Sequence, residues 1–143
     1  MVGVFSALEV AASGLSAERV RMNTIASNLA NARTTRTDAG GPYKRIDPVF
    51  EAVPYAPNGV ASPLARAVSG VRVTHVQEDT RDPMEVYEPG HPDADARGFV
   101  KYPNVNVVEE MVNMITASRA YEAGVSSVET VKSMARSALQ IGK

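Results

Sequence analysis

Apolar residues return with a seven-residue period, in alternating steps of four and three, along both ends of this chain. Near the C-terminus the series is Val107, Met111, Met114, Ser118, Tyr121, Val125, Val128, Lys132, Ala135 and Leu139. An unbroken period of this kind marks a helix that supercoils against another helix, so the spacing predicts a coiled-coil helix over 105–143. Asn106 is placed to cap it, with Glu109 three residues on as in a capping box. Glu109 and Glu110 also suit the positive end of the helix dipole. At about 1.5 Å per residue such a helix runs about 50 Å, longer than a small domain is wide.

More than one face of that helix is apolar. Val108, Val112 and Ile115 add a second stripe early; Val131, Met134, Ala138 and Ile141 add one late. The waist is small-sided: Ala117, Ser118, Ala120, Ala123, Gly124, Ser126 and Ser127. Glycine inside a helix costs about 1 kcal/mol relative to alanine, and close approach of another backbone at Gly124 would offset it. One partner helix cannot cover all of this surface, which points to packing within a multi-chain assembly.

Phe5, Leu8, Ala12, Leu15, Arg19, Met22, Ala26 and Leu29 form a matching heptad series at the other end, predicting a helix over Val4 to Asn31. Arg19 interrupts the seam, yet its stem can lie along apolar surface with the head in solvent. Asn28 and Asn31 fall where this helix should end, and Asn tolerates the left-handed C-cap conformation. The two terminal helices are thus expected to pair, with Leu15, Met22, Met114 and Val125 most fully buried at mid-seam. The expected fold is mainly α: long N- and C-terminal helices (1–32 and 105–143) paired as a coiled coil, with an irregular β-rich module between them (33–104).

That middle holds all nine prolines, from Pro42 to Pro103, so no long helix fits there. Arg33 to Gly41 is a polar linker of turn-formers. Tyr43 to Val53 and Val68 to Val76 carry the β-branched and aromatic enrichment of strands, and Val71-Arg72-Val73 alternates as a strand with one wet face does. Met84 to Tyr87 and Phe99 to Tyr102 are shorter strand candidates, and Pro54 to Pro63 reads as an exposed loop.

Composition narrows the function classes. The chain has 143 residues, a net charge of -1 and no cysteine. Without clustered Lys and Arg, a nucleic-acid backbone is not the expected partner. Thiolate zinc sites and disulfides are unavailable. No stretch approaches the roughly 18 apolar residues of a membrane span, and MVGVFSALEVAASG lacks the positive start of a secretory signal. No nucleophile elbow, phosphate loop or dinucleotide fingerprint is present, so no cofactor is expected. One loop, His91-Pro92-Asp93-Ala94-Asp95, has metal-binding residue types at alternate positions. The same letters beside Gly90 are ordinary turn chemistry, and the turn is the reading adopted. Glu109 with Glu110 reads as capping, not as an acid/base pair.

The stretch SGLSAERVRMNTIASNLANARTT (13–35) resembles the signature of the bacterial flagellar axial proteins, the rod, hook and filament relatives. GGPYKR (40–45) and the run VYEPGHPDADARGFVKYPNVNVVEEMVNMITASRAYEAGVSSVETVKSM (86–134) are similar to the rod members of the proximal rod. The likeness covers both ends and the second half of the middle. It implies a structural, non-enzymatic subunit whose terminal helices line the core of a tubular shaft carrying torque from motor to hook. Its implied partners are further copies of itself, other rod proteins, a rod-base adaptor and the type III export apparatus. It also implies export without a cleaved signal peptide and a place in the basal body, within the periplasmic space.

On this reading Phe5, Leu8, Leu15, Met22 and Leu29, with Val107, Met111, Met114, Tyr121, Val125, Val128 and Leu139, form the assembly interface. Two rival classes are a secretion-system adaptor or chaperone, and a small metal-dependent enzyme built on His91, Asp93 and Asp95.

Overall fold

The computed structural model describes residues 2–54 and 69–141. Helix α1 spans Val2–Ala30 and helix α2 spans Val107–Ile141. Between them lie strands β1 (Ile46–Pro54), β2 (Ser69–Glu78), β3 (Met84–Tyr87) and β4 (Phe99–Tyr102). The mainly α fold with a small β middle is therefore as the sequence predicts. Residues 55–63 of the expected loop and Val68 at the expected start of the second strand lie outside the described residues.

The helices pack against each other in antiparallel sense. Asn28, near the end of α1, bonds Glu110 in the first turn of α2, while Leu15 in the middle of α1 lies against Gly124. Asn106 caps α2 as expected: its side-chain oxygen accepts from the backbone N–H of Val108 (3.1 Å) and of Glu109 (3.3 Å). Each bond satisfies a donor that the first helical turn leaves without a partner.

Strands β1 and β2 pair antiparallel from Ile46↔Glu78 to Pro54↔Ser69, with a bulge between Val49 and Phe50. Val49 faces His75 and Phe50 faces Val73, so Thr74 is the extra residue; its hydroxyl donates to the Val49 carbonyl at 3.1 Å. This ribbon lies along α1. Ser13 joins the two, accepting from the Val71 N–H at 3.1 Å. A Cβ on Gly70 would come within 3.0 Å of the Ser13 oxygen, so the close approach depends on glycine there.

Strands β3 and β4 form a second antiparallel pair, Met84↔Tyr102 to Tyr87↔Phe99, braced by edge-to-face packing of Tyr87 on Phe99 at 5.3 Å. Val100, Pro103 and Val105 are buried and carry the chain from this hairpin into α2. The linker out of α1 turns at Gly40 and Gly41, whose φ angles of 85° and 77° are readily available only to glycine.

Two local expectations are corrected. Asn28 is not an end cap; it sits inside α1, fully buried. Gly124 does not admit a neighbouring backbone. A Cβ there would lie 2.8 Å from Leu15 Cδ2, so the space is filled by the Leu15 side chain.

Candidate assembly surface

The heptad period is present, but its phase differs from that of the largest apolar residues. On α2 the positions turned away from solvent are Glu110, Met114, Ala117, Tyr121, Gly124, Val128, Val131 and Ala135, again in steps of four and three. Of the expected seam, Met114, Tyr121 and Val128 lie on this inner face and are half-buried. Val107, Met111, Val125 and Leu139 are exposed, and Val125, expected at mid-seam, remains 37% exposed. On α1, Leu8, Leu15, Met22 and Leu29 are half-buried, whereas Phe5 is exposed. The residues buried most deeply on the two helices are others: Ala17, Thr24, Ile25 and Asn28 on α1, and Glu110 and Ala117 on α2.

The reason is that α1 has two neighbours. Val10, Ser13, Ala17 and Val20 turn to the β1–β2 ribbon, while Leu15 turns to Gly124 and Tyr121 of α2. The remaining stripe, Phe5, Glu9, Ala12, Ser16, Arg19, Asn23 and Ala26, is in solvent. Among the described residues, helix α2 has α1 as its only helical neighbour. Its other face presents Val107, Val108, Met111, Val112 and Ile115 together, with Val108 71% and Ile115 55% exposed. Residues at these spacings share one side of a helix. They form a contiguous apolar patch of the kind that marks an interaction surface.

At the closed end of the hairpin lies a buried polar cluster. The Asn28 amide fills its full hydrogen-bonding capacity. Its Nδ2 donates to the Ile46 carbonyl (2.9 Å) and to Glu110 Oε2 (3.1 Å). Its Oδ1 accepts from the Ile46 N–H (2.9 Å) and from the Tyr43 hydroxyl (3.0 Å). The side chain thus stands in for a strand partner at the first residue of β1. The other carboxylate oxygen of Glu110 accepts from Arg45 Nε at 2.7 Å, and Arg45 also pairs with Asp47.

Burial alone would make the Arg45 guanidinium easier to deprotonate, but its hydrogen bonds to Glu110 and Asp47 outweigh this and hold it more firmly protonated than usual. Burial first, and the Glu110 charge second, push the Tyr43 phenol above its ordinary value, so it stays a donor. Reading Glu110 as a capping acid missed this role. One signal was available: Glu110 stands seven residues before Ala117 and fourteen before Gly124, on the small-residue face.

The His91, Asp93 and Asp95 loop is a set of turns whose polar groups bond within the loop and to the linker after α1. His91 Nδ1 accepts from the Asp93 N–H (3.1 Å), and Asp93 Oδ2 accepts from the Thr35 hydroxyl (2.8 Å). Asp95 Oδ1 accepts from the N–H of Phe99 (2.9 Å) and of Arg97 (2.8 Å), bonds that hold its carboxyl below the usual range. Among the described residues no group of three or more His, Cys, Asp or Glu is placed to hold a metal ion. None of the described helices is long and apolar enough to cross a membrane.

Comparison with known proteins accounts for both helical ends. Residues 8–36 match the family described as flagella basal body rod protein, and residues 96–141 match the C-terminal family of flagellar basal body rod FlgEFG proteins. The chain is 42% identical to the flagellar basal-body rod protein FlgC of Borreliella burgdorferi, over 98% of each chain. It is 43% identical to FlgC of Escherichia coli, over 99% of this chain and 100% of that one. With FlgC of Bacillus subtilis it shares 41% identity, over 97% of this chain and 98% of the relative. The chain belongs to the FlgC family of flagellar basal-body rod proteins.

Proposed function

We propose that this chain is a structural subunit of the proximal rod, polymerising through the outer faces of its terminal helices into the tubular shaft that carries torque to the hook. The observation that carries this reading is the outer face of α2, where Val107, Val108, Met111, Val112 and Ile115 stand in solvent. Each would contribute roughly 1.5–3 kcal/mol on full burial, and no other part of the described chain covers them. A structural family, matched end to end, needs such a surface on every subunit.

The three regions act as inner helix, outer wall and inner helix. Subunits leave the cytoplasm through the type III export apparatus without a cleaved signal. They meet copies of themselves, other rod proteins and the rod-base adaptor in the periplasmic space. Phe5, Val107, Met111, Val125 and Leu139, exposed in the single chain, belong to the contacts between subunits. Leu8, Leu15, Met22, Leu29, Met114, Tyr121 and Val128 hold the hairpin that presents them.

Purified hook–basal bodies from a strain whose only copy of this chain carries a small loop tag would test this. The tag is expected at fixed stoichiometry in the proximal rod. Basal bodies that are complete and free of the tag, with the chain soluble in the cytoplasm, would favour the adaptor or chaperone reading.

A further inference from the structure

The contact of Leu15 with Gly124 sets the register of the helical hairpin. Seven residues along each helix in opposite directions preserve a layer of an antiparallel pair. Met22 is therefore level with Ala117, Leu8 with Val131, and Leu29 with Glu110. Large side chains on α1 stand level with small ones on α2 in two of these layers, Leu15 with Gly124 and Met22 with Ala117; a third sets Leu8 beside Val131, and the fourth ends on the polar cluster.

This seam is nearly degenerate. Sliding α2 by one heptad, about 10 Å, would put Met22 over Gly124, Leu29 over Ala117, Leu15 over Val131 and Leu8 over Ala138. Three of these four layers would set a large residue over glycine or alanine, and the other would set Leu15 over Val131. Along this row apolar packing therefore discriminates only weakly between the two registers, since the same kinds of side chain fill the same kinds of hole.

The polar cluster is not degenerate. A one-heptad slide carries Glu110 past the end of α1, away from Asn28 and Arg45. It strands a buried carboxylate, a guanidinium with 12% side-chain exposure, and an amide whose four bonding positions are all filled. Leaving such groups unpaired is strongly unfavourable. We infer that Asn28, Arg45 and Glu110 are the register key of the hairpin. They select one of two near-equivalent seams and so decide which outward residues of α2 stand beside which of α1. The inference concerns the single chain and does not depend on the assembly reading.

The chain has no cysteine, so engineered thiol pairs report register without background. Leu15→Cys with Gly124→Cys reports the observed seam. Met22→Cys with Gly124→Cys reports the slipped one, because about 10 Å of axial offset is too far for a disulfide in the observed register. Each pair is placed in the full-length chain, in Glu110→Gln, and in Asn28→Leu with Glu110→Leu; mild oxidation is followed by gel mobility, and helix content by circular dichroism. With the native cluster only the first pair should link. In the variants the ratio of slipped to native linkage should rise at least about tenfold while helix content is kept. Exclusive native linkage in whichever variant keeps its helices would overturn the inference. Loss of helix in both variants would overturn it too, by making the cluster a stability element and not a selector.

Discussion

Both faces of α2 carry large apolar residues, and only one of the two is covered. Its inner face, closed by α1, sets Ala117, Gly124 and Ala135 between Met114, Tyr121, Val128 and Val131. Its outer face carries Val108, Met111, Val112, Ile115, Met134 and Leu139, all exposed. The small positions of the inner face make room for α1, as where the Leu15 side chain fills the space at Gly124. Burial of one apolar face therefore says little about what another apolar face is for. Here the fold of the single chain covers the face of mixed size and leaves open the one made of large residues.

The sharpest way to break the inner face is at its polar end. Glu110→Ala leaves Arg45 and Asn28 without their buried partner, and unfolding of the full chain in denaturant should show a loss of about 3–5 kcal/mol. A loss below about 1 kcal/mol would mean that the cluster is solvated and does not close the hairpin.

The size rule itself is tested one layer further along. Gly124→Leu forces atoms into space held by Leu15, where even a Cβ would meet Leu15 Cδ2 at 2.8 Å. The expected cost is about 1–3 kcal/mol. Adding Leu15→Ala should return part of it, so that the double change costs at least about 1 kcal/mol less than the two singles summed. Simple additivity would show that the two side chains do not share a hole.

Away from both faces, Asp79 offers a small and signed effect. Its side-chain bond from Arg81, then the Arg81 backbone N–H, hold its carboxyl at about 2 instead of 3.8. A carboxyl depressed in the fold adds stability above its ordinary value and loses it as pH falls towards the folded value. Asp79→Asn should therefore be slightly less stable than the parent above pH 3.8, with the difference vanishing towards pH 2. Arg81 is two residues away and exposed, so the unfolded chain keeps part of the pair and the effect is the smallest of these stability changes. A difference that grows on acidification would reverse the assignment.

Much of this fold is legible in the residues. Met84–Tyr87 and Phe99–Tyr102 are strands where β-branched and aromatic residues predict them, and a long helix stands at each end of the strand region as the heptads predict. The phase of the seam was harder to read. Hydrophobicity weights Met111, Val125 and Leu139 above Ala117 and Gly124, so the predicted stripe joins Met114, Tyr121 and Val128 of the inner face to residues that stand in solvent. The polar cluster was hidden for another reason. Its bonds join residues 82 and 65 positions apart, and neither periodicity nor composition relates Asn28, Arg45 and Glu110. Only the antiparallel register brings them together.

The central claim is that the outer face of α2 serves assembly and contributes little to folding. Met111→Asp and Ile115→Asp test it most directly, because both positions are 55% exposed in the single chain. Each variant should unfold within about 0.5 kcal/mol of the parent, while cells carrying only that variant export the subunit, build no rod and do not swim. Normal swimming in both, or a loss of stability as large as that of Glu110→Ala, would contradict the account.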